Sequence, residues 1–253
     1  MPSHPPLILI HGMSSGPQAW APVLSRLEQQ REVHVVTLPG HHGRPIPRDF
    51  SSSTYVDLVE AELDRLGIEA PDVVGNSLGG WIALQLAARG RARSVVCLAP
   101  AGGWPVGSPF DRLLTAQFAA AYRVCRMLVA PAGRPFRRTP GVRRALLHAM
   151  VARPQRVSPR AFDEIVADVA GCRALRESLH RPAARDLAFT PAAPCPVLIA
   201  WSAEDRILVS HAYRRTLAEQ VGAPTVVTLP GVGHIPMSDE PDLVARTILE
   251  FTA

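Results

Sequence analysis

A serine, an aspartate and a histidine stand in that order along the chain, each in a glycine-marked or turn-like setting. Ser77 lies in Gly75-Asn76-Ser77-Leu78-Gly79, Asp205 in Ala203-Glu204-Asp205, and His234 in Gly231-Val232-Gly233-His234. These types suit nucleophilic attack on a carbonyl. A serine hydroxyl is a weak nucleophile near neutral pH and needs a base to take its proton. An imidazole does this, and a carboxylate beside it fixes its tautomer and stabilises the imidazolium. Each residue also suits a plainer role. Ser77 could cap a helix, Asp205 could be a loop acid with Glu204 as the orienting carboxylate, and His234 could be structural. Of the other histidines, His11 reads as structural, and His41 and His42 as residues of a Pro-Gly-His-His-Gly turn that could also line a pocket. His148, His180 and His211 carry no pattern. Trp20, Trp81 and Trp104 suit either the core or a pocket border.

The elements around these residues decide whether they can meet. Gly-x-Ser-x-Gly works only between a strand and a helix, where the turn lifts the hydroxyl over the helix N-terminus. Residues 72–74 read as a short buried strand and 81–88 as an apolar helix, with Gly75 and Gly79 where a Cβ would strike the neighbouring backbone. In an open parallel sheet, reacting groups lie just past the C-terminal ends of strands. Asp205 comes four residues after a predicted strand ending at Trp201, and His234 five after one ending at Leu229.

Strands are also predicted at 7–10, 33–38 and 94–98. Helices are predicted at 17–30, at 54–66 with Thr54 as N-cap and Gly67 as stop, at 210–221 and at 239–251. This alternation predicts a parallel sheet with helices on both faces. Residues 101–190 break the rhythm: glycines and prolines interrupt arginine-rich helical runs, and no convincing strand occurs.

At 253 residues, with 47% hydrophobic and 19% charged residues, the chain fits one globular α/β domain with an insertion. No apolar run approaches the roughly 20 residues of a membrane span, and no signal peptide is evident, so a cytoplasmic location is expected. Cys97, Cys125, Cys172 and Cys195 are scattered and read as buried thiols of a reducing compartment; no metal or cofactor is expected. The net charge of +5 is uneven. Residues 101–190 hold fifteen arginines against six acids, a net +9, and the remainder carries −4. The chain has no lysine, which codon usage in a GC-rich genome would explain, but codon usage does not explain the clustering. Many of these arginines are expected to solvate helices. The alternative is docking of an acidic carrier protein, a coenzyme A ester or an anionic lipid surface. No recognition motif accompanies the charge, which argues against nucleic acid.

The chain resembles the α/β-hydrolase-fold enzymes over nearly its whole length. The resemblance rests on Ile10-His11-Gly12, Leu38-Pro39-Gly40-His41, Gly75-Asn76-Ser77-Leu78-Gly79-Gly80, Ala203-Glu204-Asp205 and Gly233-His234, in that order. It implies a six-stranded, wholly parallel sheet, the strand at Leu7 matching the family's third and the first two absent. Residues 1–100 and 191–253 would form the α/β core, and 101–190 a helical cap roofing the pocket. It further implies an oxyanion hole from the backbone N–H groups of Met13 and Leu78. The implied activity is that of a serine hydrolase, with Ser77 as nucleophile, His234 as base and Asp205 as its orienter. The enzyme would cleave a small carboxylic ester, thioester or lactone through an acyl-enzyme. Alternatives are carbon–carbon bond hydrolysis of ring-fission products, peracid formation, or a non-catalytic binding protein on this fold. An aspartate at position 77 would have suggested epoxide or haloalkane hydrolysis, and Ser77 argues against both.

Overall fold

Short β-branched runs alternate with Ala- and Leu-rich ones because the sheet they build is covered on both faces. The computed structural model describes residues 4–222 and 224–253. Six strands are present: β1 (Leu7–Ile10), β2 (Val33–Val36), β3 (Asp72–Asn76), β4 (Ser94–Leu98), β5 (Val197–Ser202) and β6 (Thr225–Leu229). They pair in the order β2-β1-β3-β4-β5-β6, every pairing parallel. Every residue of β1, β3, β4 and β5 is buried, as central strands between two helical layers must be.

Alternation along a strand divides the core in two. Ile8, Ile10, Val73 and Val95 pack under α2 (Ser52–Leu66), α3 (Leu78–Ala88) and α9 (His211–Val221). Leu7, Leu9, Val74 and Val96 pack under α1 (Ala21–Glu28) and α11 (Pro241–Phe251). Burying each such side chain contributes about 1.5–3 kcal/mol. The chain runs from β1 outward to β2, then crosses back to β3 on the other side of β1. A crevice opens where the strand order reverses, and ligands of such sheets bind there. The register Ile10↔Gly75 sets the loop after β1 directly beside the loop after β3.

Between β4 and β5 the described chain is helical: α4 (Pro109–Val124), α5 (Gly133–Arg137), α6 (Pro140–Leu147), α7 (Pro159–Gly171) and α8 (Arg173–His180). Ser108 and Ser158 cap α4 and α7, their hydroxyls accepting from Asp111 N and Ala161 N at 3.1 Å each. The backbone N–H groups of Arg173 and Ala174 bond the carbonyl of Gly40 at 2.8 and 3.2 Å, which fastens α8 to the loop after β2.

Several predicted boundaries move. The helix predicted over 17–30 is a 3-10 turn, Pro17–Trp20, followed by α1, which stops at Glu28. Thr54 is not the N-cap of α2: the helix begins at Ser52, and Thr54 Oγ1 accepts from the N–H of the capping residue Ser51 at 3.0 Å. Strand β2 ends at Val36. The last helix is two: α10 (Pro236–Asp239) stands apart from α11 because Glu240 leaves the helical conformation at φ −138°, ψ 73° and Pro241 has no N–H to donate. At the N-terminal edge of the sheet, the buried Asp72 accepts from Arg31, Arg93 and Ser94. That cluster ties β3 to its neighbours at the end opposite the serine turn.

Candidate active site

Strand β3 ends at Asn76 and α3 begins at Leu78, so Ser77 alone must reverse the chain. It does so at φ 56°, ψ −118°, in the left-handed half of backbone space. Holding a residue with a side chain there costs of order 1–3 kcal/mol, and the surroundings must enforce it. They do. The N–H of Ser77 donates to Leu98 O at 3.1 Å, and its carbonyl accepts from Gly80, Trp81 and Ala101 at 2.9, 3.2 and 3.0 Å. The two glycines make room: a Cβ on Gly75 would lie 2.0 Å from Gly79 O, and one on Gly79 would lie 2.1 Å from Ile10 O.

His234 and Asp205 come together from loops after adjacent strands. His234 Nδ1 lies 2.9 Å from Asp205 Oδ2, with both side chains almost wholly buried. The other carboxylate oxygen accepts from the N–H groups of Ile207 and Leu208 at 2.8 and 2.9 Å. Burial pushes the Asp205 carboxyl up, but the charge and hydrogen bond of His234 and the two backbone donors outweigh it and hold it at about 2. An ionised carboxylate only accepts, so Nδ1 is a protonated nitrogen that donates to Asp205. Glu204, the other candidate partner, instead lies 3.6 Å from Arg206 and is half exposed.

Two further residues position this pair, and sequence reading did not single them out. Asn76 Nδ2, beside the serine, donates to His234 O at 3.0 Å and to Leu98 O at 2.9 Å. It pins the histidine loop to the serine turn. Asp239, wholly buried on α10, accepts from Gly233 N at 2.8 Å and from Ala152 N and Arg153 N at 2.9 and 2.7 Å. It locks the residue before His234 to the segment after α6. The only signal in the sequence was an acid five residues past a Gly-His pair.

The loop after β1 is shaped by two neutral histidines. His11 Nδ1 donates to Gly12 O at 2.9 Å while its Nε2 accepts from Leu38 N at 3.1 Å. His41 Nδ1 donates to Pro39 O at 3.0 Å while its Nε2 accepts from Ser14 N at 3.1 Å. Each ring uses one nitrogen as donor and one as acceptor, as only the neutral form can. Burial pushes both down, to about 3 for His11, where His41 adds repulsion, and about 4 for His41. The bond to Ser14, itself at φ 54°, fixes the turn that carries Met13. Leu78 is the first residue of α3, so its N–H has no intrahelical acceptor and points out of the helix start. His42 faces elsewhere, its Nδ1 3.3 Å from Asp168 on α7.

Ser77 lies between two lobes of one cavity. The larger, about 370 Å³, is bordered by Ser77 and His234 and roofed by α4 and the end of α6. The smaller, about 80 Å³, is bordered by Met13, Ser77 and Leu78, with Trp104, Leu114 and Leu187 as apolar walls. Met13, Phe118, Leu175 and Ile207, like Ser77, border both lobes. Asp111 and Arg185, 3.4 Å apart, are the charged residues of the small lobe. Of the tryptophans, Trp104 borders this lobe, while Trp20 and Trp81 are buried in the two cores. Among the described residues, no helix is long and apolar enough to cross a membrane.

A sequence profile of the alpha/beta hydrolase family matches residues 7–247. The chain is 37% identical to epoxide hydrolase EphH of Mycobacterium tuberculosis over 207 residues, 80% of this chain and 95% of that one. It is 38% identical over 114 residues to 2-hydroxymuconate semialdehyde hydrolase of a Pseudomonas species, covering 42% of this chain and 40% of the relative. Among solved structures, the enol-lactonase of Burkholderia xenovorans superposes with a TM-score of 0.74 at 19% identity, covering 98% of this chain and 91% of that one. An esterase of Thermogutta terrifontis gives 0.71 at 20% identity, covering 97% and 88%. At such identities the two structures speak for the fold alone.

Proposed function

This chain belongs to the α/β-hydrolase family, and from that premise we propose that it is a serine hydrolase of short-acyl carboxylic esters working through an acyl-enzyme. The observation that carries the reading is the 2.9 Å contact between His234 Nδ1 and Asp205 Oδ2 at the rim of a cavity that Ser77 also borders. His234 Nε2 takes the Ser77 proton as the hydroxyl oxygen attacks the ester carbonyl. The oxyanion lodges against the N–H groups of Met13 and Leu78, where losing one such donor typically costs about 2.7–4 kcal/mol. His234 then returns the proton to the departing alcohol. A water activated by the same imidazole cleaves the acyl-enzyme and frees the acid. Asp205 stays ionised throughout and stabilises the imidazolium.

The two lobes receive the two halves of the ester. Leu78 borders only the small lobe and His234 only the large one, while Met13 borders both, and the departing alcohol must lie beside the imidazole that protonates it. The acyl group therefore takes the small lobe and the alcohol the large one. A short acyl chain on a bulky, apolar alcohol fits best.

Epoxide opening is a second reading, motivated by the relative named for it. The chemistry of position 77 disfavours it here. Attack by a serine oxygen on an epoxide carbon leaves an ether, which a water activated by His234 does not cleave. A carboxylate nucleophile would leave an ester, which water does cleave. One experiment separates the readings: acetyl to decanoyl esters and an aryl epoxide offered to wild type and Ser77→Ala. Ester hydrolysis should decline with acyl length and fall at least about 10⁴-fold in the variant. Epoxide turnover that persists in Ser77→Ala, without ester hydrolysis by wild type, would replace the reading.

A further inference from the structure

Helix α4 does two things at once. One face of it borders the cavity, and that face runs on past the end of the helix into an exposed apolar stripe. Gln117, Ala120 and Ala121 line the large lobe yet are exposed, so the cavity opens to solvent beside them. Val124, Met127 and Leu128 continue that line at steps of three and four residues. A widened turn follows α4, with Ala130 N bonded to Cys125 O at 2.8 Å. It buries Cys125 and Val129 and leaves Met127 and Leu128 outside, 70% and 65% exposed. Arg137 bonds the carbonyl of Ala130 at 2.8 Å, which brings α5 and its exposed Phe136 to the end of the stripe. Among the described residues nine large apolar side chains are exposed, and five of them fall within residues 113–136. Scattered single apolar residues are ordinary on a surface, but this concentration is not.

The charge around the stripe is equally one-sided. From Asp111 to Asp163 the chain has eleven arginines and no acid between them. Arg137, Arg138, Arg153, Arg156 and Arg160 pair with acids outside that stretch. Among the described residues Arg112, Arg123, Arg126, Arg134, Arg143 and Arg144 form no ion pair, and all but Arg143 are exposed. A surface that merely needed solvation would not expose methionine, leucine and phenylalanine between them.

We propose that this face of α4 and α5 seats on an anionic lipid bilayer and admits esters of lipophilic alcohols from it to Ser77. Met127, Leu128 and Phe136 enter the headgroup–acyl boundary, and the unpaired guanidinium groups meet lipid phosphates. The stripe then joins the bilayer to the mouth of the large lobe, the lobe assigned to the alcohol. The docking stands on the surface alone; the choice of substrate rests on the ester-hydrolase reading.

The test is co-sedimentation with sucrose-loaded vesicles of phosphatidylcholine, with or without phosphatidylglycerol. It is paired with hydrolysis of a soluble short-acyl ester and of a long-chain alcohol acetate carried in the vesicles. Wild type should bind the anionic vesicles at least about tenfold more tightly than the neutral ones, with affinity falling as salt rises. The Met127→Asp/Leu128→Asp variant should lose vesicle binding and vesicle-borne turnover while keeping soluble-ester kcat/KM, which certifies its fold. Arg123→Gln/Arg126→Gln should weaken binding to anionic vesicles only. Equal binding to both vesicle types, or none to either, would overturn the proposal. So would a dimer in sedimentation velocity that Met127→Asp/Leu128→Asp abolishes, without vesicle binding. Intact vesicle binding with no turnover of any ester would keep the docking face and remove the ester reading.

Discussion

The side chains proposed for chemistry here differ sharply in what holds them. Ser77 is held by a strained backbone, so space around it is the constraint. Gly75→Ala should therefore cost about 3 kcal/mol or more in chemical denaturation, because the clash at 2.0 Å is with backbone that has nowhere to go. Near-wild-type stability would mean that the turn is looser than described. His234 and Asp205 are held by each other. Asp205→Asn keeps the shape but offers an amide to Nδ1, which favours the wrong tautomer, and kcat should fall by about 10⁴. A loss under tenfold would remove Asp205 from the relay. The folded carboxyl sits at about 2, below its ordinary 3.8, so its contribution to stability is complete above pH 3.8 and disappears as pH falls toward 2. Ser77, Asp205 and His234 were legible in the sequence because their types are scarce in combination and each follows a strand end. Asn76 and Asp239 were not. Their partners are backbone atoms, and Asn76 reaches a carbonyl 158 residues away.

At the scale of elements, the site is a set of loops fastened to one another. The Asp239 side chain joins the histidine loop to two N–H groups after α6. Asp239→Ala would leave the buried donor Gly233 N and the half-buried donors Ala152 N and Arg153 N without their partner, a buried one being worth about 1–3 kcal/mol. The expected result is a loss of at least about 3 kcal/mol in urea denaturation, with kcat reduced more than KM is raised. A fully stable variant with wild-type kcat would show that the histidine loop stands without the clamp. The strands were readable from their β-branched runs, and the helices from periodicity. The boundaries that moved did so for side-chain reasons: Ser51 and Thr54 both suit a cap, and only the three-dimensional bond tells which residue is N-cap. Similarly, Asp239 looked like the start of a helix, and in place it ends a separate short one.

Over the whole molecule, acid stability follows from two buried rings. His11 and His41 are neutral when folded, with affinities for protons well below the ordinary 6.5, and regain that value on unfolding. Below pH 6.5 the unfolded chain thus binds more protons, and stability falls as pH drops from 6.5 through about 4, by up to about 1.4 kcal/mol per pH unit for each ring. The melting temperature should be level above pH 6.5 and drop steeply below it, with a shallower slope in His41→Asn; an unchanged slope would place the effect elsewhere. Charge was legible only as a sum. The sequence shows +9 in one segment, but which arginines lack a partner depends on where Asp163, Glu164 and Glu240 come to rest. The central claim concerns a single oxygen, and the most direct measurement is intact-protein and peptide mass spectrometry after exposure to a fluorophosphonate. One adduct, on the peptide bearing Ser77, absent in Ser77→Ala and formed far more slowly in His234→Ala, is the predicted result. Labelling at another residue, or equal labelling of the His234 variant, would contradict it.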